Sequence, residues 1–274
     1  MSAARGDDRD AEPCLLLLFD VDGTLVHVNG AGRAALRTAM TEVYGETGPI
    51  ETFDFHGRTD PEIVRGLLRA AGRADAWIDE SLPLLWERYV GLLRRELRLR
   101  RETLRVCPGV GELLERVAVD PYLTAGLLTG NVEAGAWAKL GACELGGAFA
   151  FGAFGSDSEH RGDLPPVALR RARRHTGVEF RPDRVLVIGD TPEDVRCAEA
   201  TGLRSLGVAT GRYSVGELTE EGADAVVPTL RECGPLLDEM LRSLCKTQSG
   251  PRARVVPGAD QRAGGLSSRS GRGA

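Results

Sequence analysis

Three short apolar runs, residues 14–18, 123–128 and 184–188, each stop at a polar cluster: Phe19-Asp20-Val21-Asp22, Thr129-Gly130-Asn131 and Gly189-Asp190. Unbroken apolar runs of this length, with no alternation of polar residues, are what strands buried on both faces look like. Helix-patterned segments at 108–119, 167–176 and 192–201 lie between and after them, and further strand-like runs occupy 205–208 and 225–227. Alternating strand and helix predicts an α/β fold with a doubly wound parallel sheet. Ligands of such sheets bind in the crevice at the carboxyl ends of the strands, and all three clusters fall at that edge.

One long stretch interrupts the alternation. From residue 30 to about 101 the apolar residues repeat at helical spacing: Leu82, Leu85, Trp86, Tyr89, Leu93 and Leu97 fall three or four apart, with Arg88, Arg94, Arg95 and Arg98 on or near the opposite side, where a solvated face is expected. The expected division is therefore a core of residues 14–29 and 102–245, an inserted all-helical domain of residues 30–101, a flexible N-terminus of residues 1–13 and a disordered basic tail of residues 246–274.

Of 274 residues, 42% are hydrophobic and 27% charged, enough for one ordinary core and a smaller attached unit. The net charge is −5, yet residues 246–274 carry six Lys and Arg against the single acid Asp260, so the body is acidic and no nucleic-acid partner is expected. Six scattered cysteines without a Cys-x-x-Cys pair exclude a disulfide framework or zinc site, and point to buried free thiols. Residues 1–12 are polar, and the apolar run after them is too short for a signal segment or a membrane span. A cytoplasmic protein without membrane attachment is the expectation.

Asp20 and Asp22 leave a buried strand at positions i and i+2, on the same side unless the chain turns first. Two carboxylates so close repel, and the pair is costly unless a cation sits between them or one is protonated. Gly23 permits a tight turn, and Thr24 offers a hydroxyl and an N–H to an anion. Asp190 precedes Thr191-Pro192-Glu193-Asp194, itself a helix start with Thr at the N-cap, Pro at N1 and an acid at N3. Capping does not need Asp190, which makes it the stronger ligand candidate and Asp194 the weaker.

Asp20-Val21-Asp22-Gly23-Thr24-Leu25 resembles motif I of the haloacid dehalogenase-like hydrolases, Thr129-Gly130-Asn131 their motif II and Gly189-Asp190-Thr191-Pro192-Glu193-Asp194 their motif IV. The resemblance implies that Asp20 is a nucleophile forming an aspartyl-phosphate, and that Asp22 protonates the leaving group and then activates water. It further implies that Thr129, with the amides of Gly130 and Asn131, holds the phosphoryl group. Asp190 and Asp194 would complete a Mg2+ site with Asp20 and the backbone carbonyl of Asp22; carboxylate oxygens suit magnesium better than zinc. Family members that release halide lack the second Asp, so Asp22 implies phosphate chemistry.

The family's motif III lysine is absent from its expected place, and Lys139 stands too early, on the helix after motif II. Arg161, before Leu164-Pro165-Pro166, is the replacement candidate, with a fork that reaches two oxygens at once. In the insert, Gly57-Arg58-Thr59-Asp60-Pro61 resembles a segment in the caps of phosphoglycolate phosphatase-like members, which implies a C1-type cap and a substrate contact by Arg58. The function so implied is a magnesium-dependent phosphatase acting on a small phosphorylated substrate. A phosphomutase, a nucleotidase and a catalytically silent binding module of the same fold stay open, as does the oligomeric state.

Overall fold

A computed structural model describes residues 14–248; the expected N-terminal segment and residues 249–274 of the expected tail lie outside the described residues. In chain order come β1 (Leu15–Phe19), β2 (Val26–His27), α1 (Ala31–Tyr44), α2 (Asp60–Ala70), α3 (Asp75–Leu99), β3 (Arg105–Val106), α4 (Val110–Val119), β4 (Leu123–Thr129), α5 (Glu133–Ala142), β5 (Gly152–Phe154), α6 (Leu164–Thr176), β6 (Val185–Gly189), α7 (Pro192–Ala200), β7 (Arg204–Val208), α8 (Val215–Glu220), β8 (Ala225–Val227) and α9 (Gly234–Gln248). Helix α9 continues three residues beyond the expected end of the core at residue 245.

Six strands form one parallel sheet in the order β5-β4-β1-β6-β7-β8. Strand β1 is central, and the chain winds outward from it to β4 and β5 on one side and to β6, β7 and β8 on the other. That reversal opens a crevice where β1, β4 and β6 end. Alternation sends Leu15, Leu17 and Phe19 into one apolar layer and Leu16 and Leu18 into the other, and β6 divides likewise, with Leu186 and Ile188 opposite Val185 and Val187. All five residues of β1 are buried, which is why the run shows no polar alternation.

Helices α1 to α3 are inserted between β2 and β3, two short strands that pair antiparallel, Val26 with Val106 and His27 with Arg105. The insert thus leaves and rejoins the core at neighbouring points. Helix α3 buries Ile78, Leu85, Tyr89, Leu93 and Leu97 against α1 and α5, while Arg88, Arg94, Arg95 and Arg98 are exposed. Within the insert, residues 45–59 form the turns and loop that join α1 to α2. Gly45, Gly48 and Gly57 adopt φ of 74°, 55° and 71° there, and a run of such left-handed positions stops a helix. Helix α2 then restarts at Thr59, whose hydroxyl accepts the N–H of Glu62.

Candidate active site

Strand β1 delivers Asp20 to the crevice still within its ladder, its N–H donating to Ile188 O at 2.9 Å. The chain then turns at once: Gly23 has φ +82°, and the amides of Leu25 and Val26 both return to Val21 O. This turn separates the two acids of motif I. It also buries Thr24 completely and directs its hydroxyl to Asp190 Oδ1 at 3.0 Å, which orients that acid. Gly23 and Gly211 flank Asp190 where any Cβ would overlap its carboxylate, and Gly189 stands in the same relation to Asp194.

Asp20, Asp190 and Asp194, all buried, each offer an oxygen within 4.8 Å of the others. Burial, with Asp194 and Asp22 adding to it against the pull of Arg161, pushes Asp20 up to about 6. Asp190 is driven well above the usual carboxylate range, first by burial and then by Asp20 and Asp194. Three hard oxygen donors converging out of water, two of them destabilised as anions, fit a divalent cation of the magnesium type. Asp194 also closes the capping box of α7, accepting the N–H of Thr191 at 3.1 Å and its hydroxyl at 2.7 Å, so one residue starts the helix and joins the cluster.

Arg161 reaches this cluster from the short turn before α6. Its Nη2 lies 3.2 Å from Asp20 Oδ1 and also donates to Asp194 Oδ1, while Nη1 donates to Gly57 O of the insert at 3.2 Å. The guanidinium is buried, and its Nε has no partner among the described residues. Burial opposes its charge, but Asp194 and Asp20 outweigh that and hold it firmly protonated.

Asp22 keeps different company. Its side chain is 42% exposed and stands outside the acid cluster, with Oδ2 taking Nδ2 of Asn131 at 2.8 Å and Nζ of Lys139 at 2.5 Å. Lys139, expected to lie too early in the chain, thus enters the site. It sits on the buried face of α5 with Gly135, Ala136 and Leu140, and also donates to Asn131 Oδ1. Burial works against its charge, yet Asp22 and Asp60 raise it overall. A lysine on an otherwise apolar helix stripe was the available sequence signal.

Thr129 Oγ1 accepts from the backbone N–H and the Nδ2 of Asn131, at 3.3 and 2.9 Å. Asn131 therefore points its amide at Asp22 and Thr129. Gly130 is required by the insert, because a Cβ there would overlap the carbonyl of Arg58. Gly130 O accepts the N–H of Asp60 at 2.7 Å, and Asp60 Oδ2 takes the N–H of Val132 at 2.8 Å. Thr59 Oγ1 donates to Glu159 O at 2.7 Å, so the segment 57–60 is pinned to core loops at several points. Burial pushes Asp60 up to about 6 despite Lys139 nearby.

A cavity of about 790 Å³ lies between insert and core, lined by Asp20, Asp22, Asn131, Lys139, Arg161 and Asp190 on one side and by Arg33, Phe55, Arg58 and Tyr89 on the other. Arg58 lies at its exposed margin in an ion pair with Glu62. No described helix is long and apolar enough to cross a membrane.

The chain is 28% identical over 224 residues to a phosphoglycolate phosphatase of Pseudomonas syringae pv. tomato, covering 80% of this chain and 78% of the relative. It is 26% identical over 231 residues to a phosphoglycolate phosphatase of Nitrosospira multiformis, covering 83% and 97%. The crystal structure of a hydrolase from Pseudomonas syringae shares the fold with a TM-score of 0.60 at 23% identity, over 82% of this chain and 98% of that one. The model of the haloacid dehalogenase-like hydrolase family matches residues 15–202, from β1 to just beyond α7, and the chain belongs to that family of enzymes.

Proposed function

We propose that this hydrolase is a magnesium-dependent phosphatase that cleaves a small phosphate monoester through an aspartyl-phosphate on Asp20. The observation that carries the reading is the meeting of Asp20, Asp190 and Asp194 at the ends of β1 and β6, with Arg161 beside the nucleophile. Asp20, Asp190 and Asp194 would hold the cation, with the Asp22 carbonyl as a further ligand; when bound, it screens the negative charges of nucleophile and phosphate from each other.

Asp20 attacks phosphorus, the bond from phosphorus to the ester oxygen breaks, and Asp22 gives that oxygen its proton. Asp22 then takes a proton from water as the water attacks phosphorus, releasing inorganic phosphate and restoring the Asp20 carboxylate. Thr129 and the amides of Gly130 and Asn131 orient the phosphoryl oxygens, and Arg161 offsets the charge on Asp20. The insert closes the cavity against water, and Arg58 meets an anionic group at the far end of the substrate. The names of the relatives support a phosphoglycolate-like compound.

The test is phosphate release from a panel of small phosphate esters, phosphoglycolate and an aryl phosphate included, with and without Mg2+. Asp20→Asn should lower turnover by about 10³-fold or more. Turnover within a few fold of wild type in that variant, or no release with any divalent metal, would sink the reading.

A further inference from the structure

Resting on the phosphatase reading above, we propose that Lys139 is a positioning residue for Asp22: with Asn131 it holds one oxygen of the proton-transferring carboxylate and keeps that carboxylate turned from Asp20. Lys139 Nζ lies 2.5 Å from Asp22 Oδ2, and Asn131 Nδ2 donates to the same oxygen at 2.8 Å. Lys139 also donates to Asn131 Oδ1, which fixes the amide so that its NH2 faces the acid. Among the described residues no donor reaches Asp22 Oδ1. One oxygen is held and the other is left to exchange a proton with the ester.

A structural role alone gives a poor account of a lysine here. Only 4% of Lys139 is exposed, and taking an ammonium out of water costs several kcal/mol unless anions compensate. The compensating groups are Asp22 of the core and Asp60 of the insert, and the latter is pinned by Val132 N–H and by its own N–H to Gly130 O. The Asp60 N–H bond to Gly130 O and the Val132 N–H bond to Asp60 Oδ2 fix the insert to the loop after β4 without any help from the lysine. What the ammonium adds is the placement of Asp22, which leads into the glycine turn with its side chain 42% exposed. Two cations thus divide the two acids of motif I, Arg161 at Asp20 and Lys139 at Asp22.

During the first step the Asp22 proton passes to the ester oxygen as its bond to phosphorus breaks. The value of placing Asp22 therefore depends on how badly the leaving oxygen needs that proton. A nitrophenolate leaves without one and an alkoxide does not.

The experiment compares kcat/KM for p-nitrophenyl phosphate and for an alkyl phosphate monoester in wild type, Lys139→Met, Asp22→Asn and the double variant, all with Mg2+. Lys139→Met should lose about 30-fold on the alkyl ester and under about threefold on the aryl ester, within the range for losing alignment of a proton donor. In the Asp22→Asn background it should change neither by more than about twofold. An equal loss on both esters, a loss that persists without Asp22, or no loss at all would overturn the proposal. Thermal denaturation establishes that Lys139→Met is folded; if it is not, Asn131→Ala replaces it and must show the same ester-dependent loss at smaller size, or the proposal fails. Asp20→Asn runs alongside: if it is as active as wild type, the phosphatase reading itself has failed, whereas its inactivity with a silent Lys139→Met condemns only the positioning role.

Discussion

Asp20 and Asp22 leave the same strand two residues apart, yet they occupy opposite electrostatic worlds. Asp20 is 5% exposed, faces two other carboxylates and has one guanidinium to offset them, and burial raises its pKa to about 6. Asp22 is part-exposed, stands outside that three-acid cluster, and is gripped by an ammonium and an amide. The chain bends at Val21, between the two acids, and the turn through Gly23 that returns to Val21 O fixes the difference. Sequence proximity fixes that two acids arrive together, and the backbone around them decides that one joins the buried acid cluster while the other stands outside it, held by Lys139 and Asn131.

The largest break in this contrast comes from removing the cation on the Asp20 side. Arg161→Met should lower kcat by about 10²-fold to 10³-fold for aryl and alkyl esters alike, the range for losing a preorganised charge contact, in contrast to the ester-dependent loss at Lys139. Steady-state kinetics on both esters decides it; turnover within a few fold of wild type would remove Arg161 from the mechanism. Because its Nε has no partner among the described residues, the guanidinium is not fully used. Arg161→Lys should therefore stay within about tenfold of wild type, as a single ammonium still reaches Asp20.

The pH dependence sharpens the contrast next. Asp20 and Asp60 are both raised to about 6 from an ordinary value of 3.8, so between these values the folded chain binds more protons than the unfolded chain. Stability then falls as pH rises from about 4 to about 6, with Asp20 and Asp60 both contributing to that fall. A divalent cation held by the deprotonated cluster, as proposed above, should flatten the slope. Thermal denaturation with EDTA and with Mg2+ across this window tests it: a curve in EDTA that rises toward pH 6 contradicts the buried-acid account, and Asp20→Asn should reduce the slope.

What could be read from sequence divides along the same line. The strands carrying Asp20, Thr129 and Asp190 were legible because burial on both faces leaves unbroken apolar runs, and the acids at their ends share one sheet edge by topology alone. Arg161 was legible only through the spacing of the family motifs. Lys139 stood out only as a lysine on an apolar helix stripe, and its partner was not legible, because a contact between α5 and the turn after β1 joins residues 117 positions apart. The glycines at 130 and 211 were opaque for the same reason, since each is required by a group from elsewhere, Arg58 O and the Asp190 carboxylate. Strand β5, three residues long, is too short for periodicity to register.

The smallest expected effect lies on the insert side of the cavity, where charge is wet. Arg58 is 42% exposed and shares its guanidinium with Glu62, so water screens whatever it offers a substrate. Arg58→Ala should raise KM for a phosphate ester carrying a second anionic group by about threefold to tenfold and leave kcat within about twofold. For an aryl phosphate with no second anionic group neither constant should move, since a rim charge contributes to binding without touching the reacting atoms. Measuring both esters in wild type and Arg58→Ala separates recognition from chemistry. Equal shifts on the two would mean that Arg58 braces the segment 57–60, which Arg161 also contacts through Gly57 O, and the anion preference would then have to come from Arg33 or another cation lining the cavity.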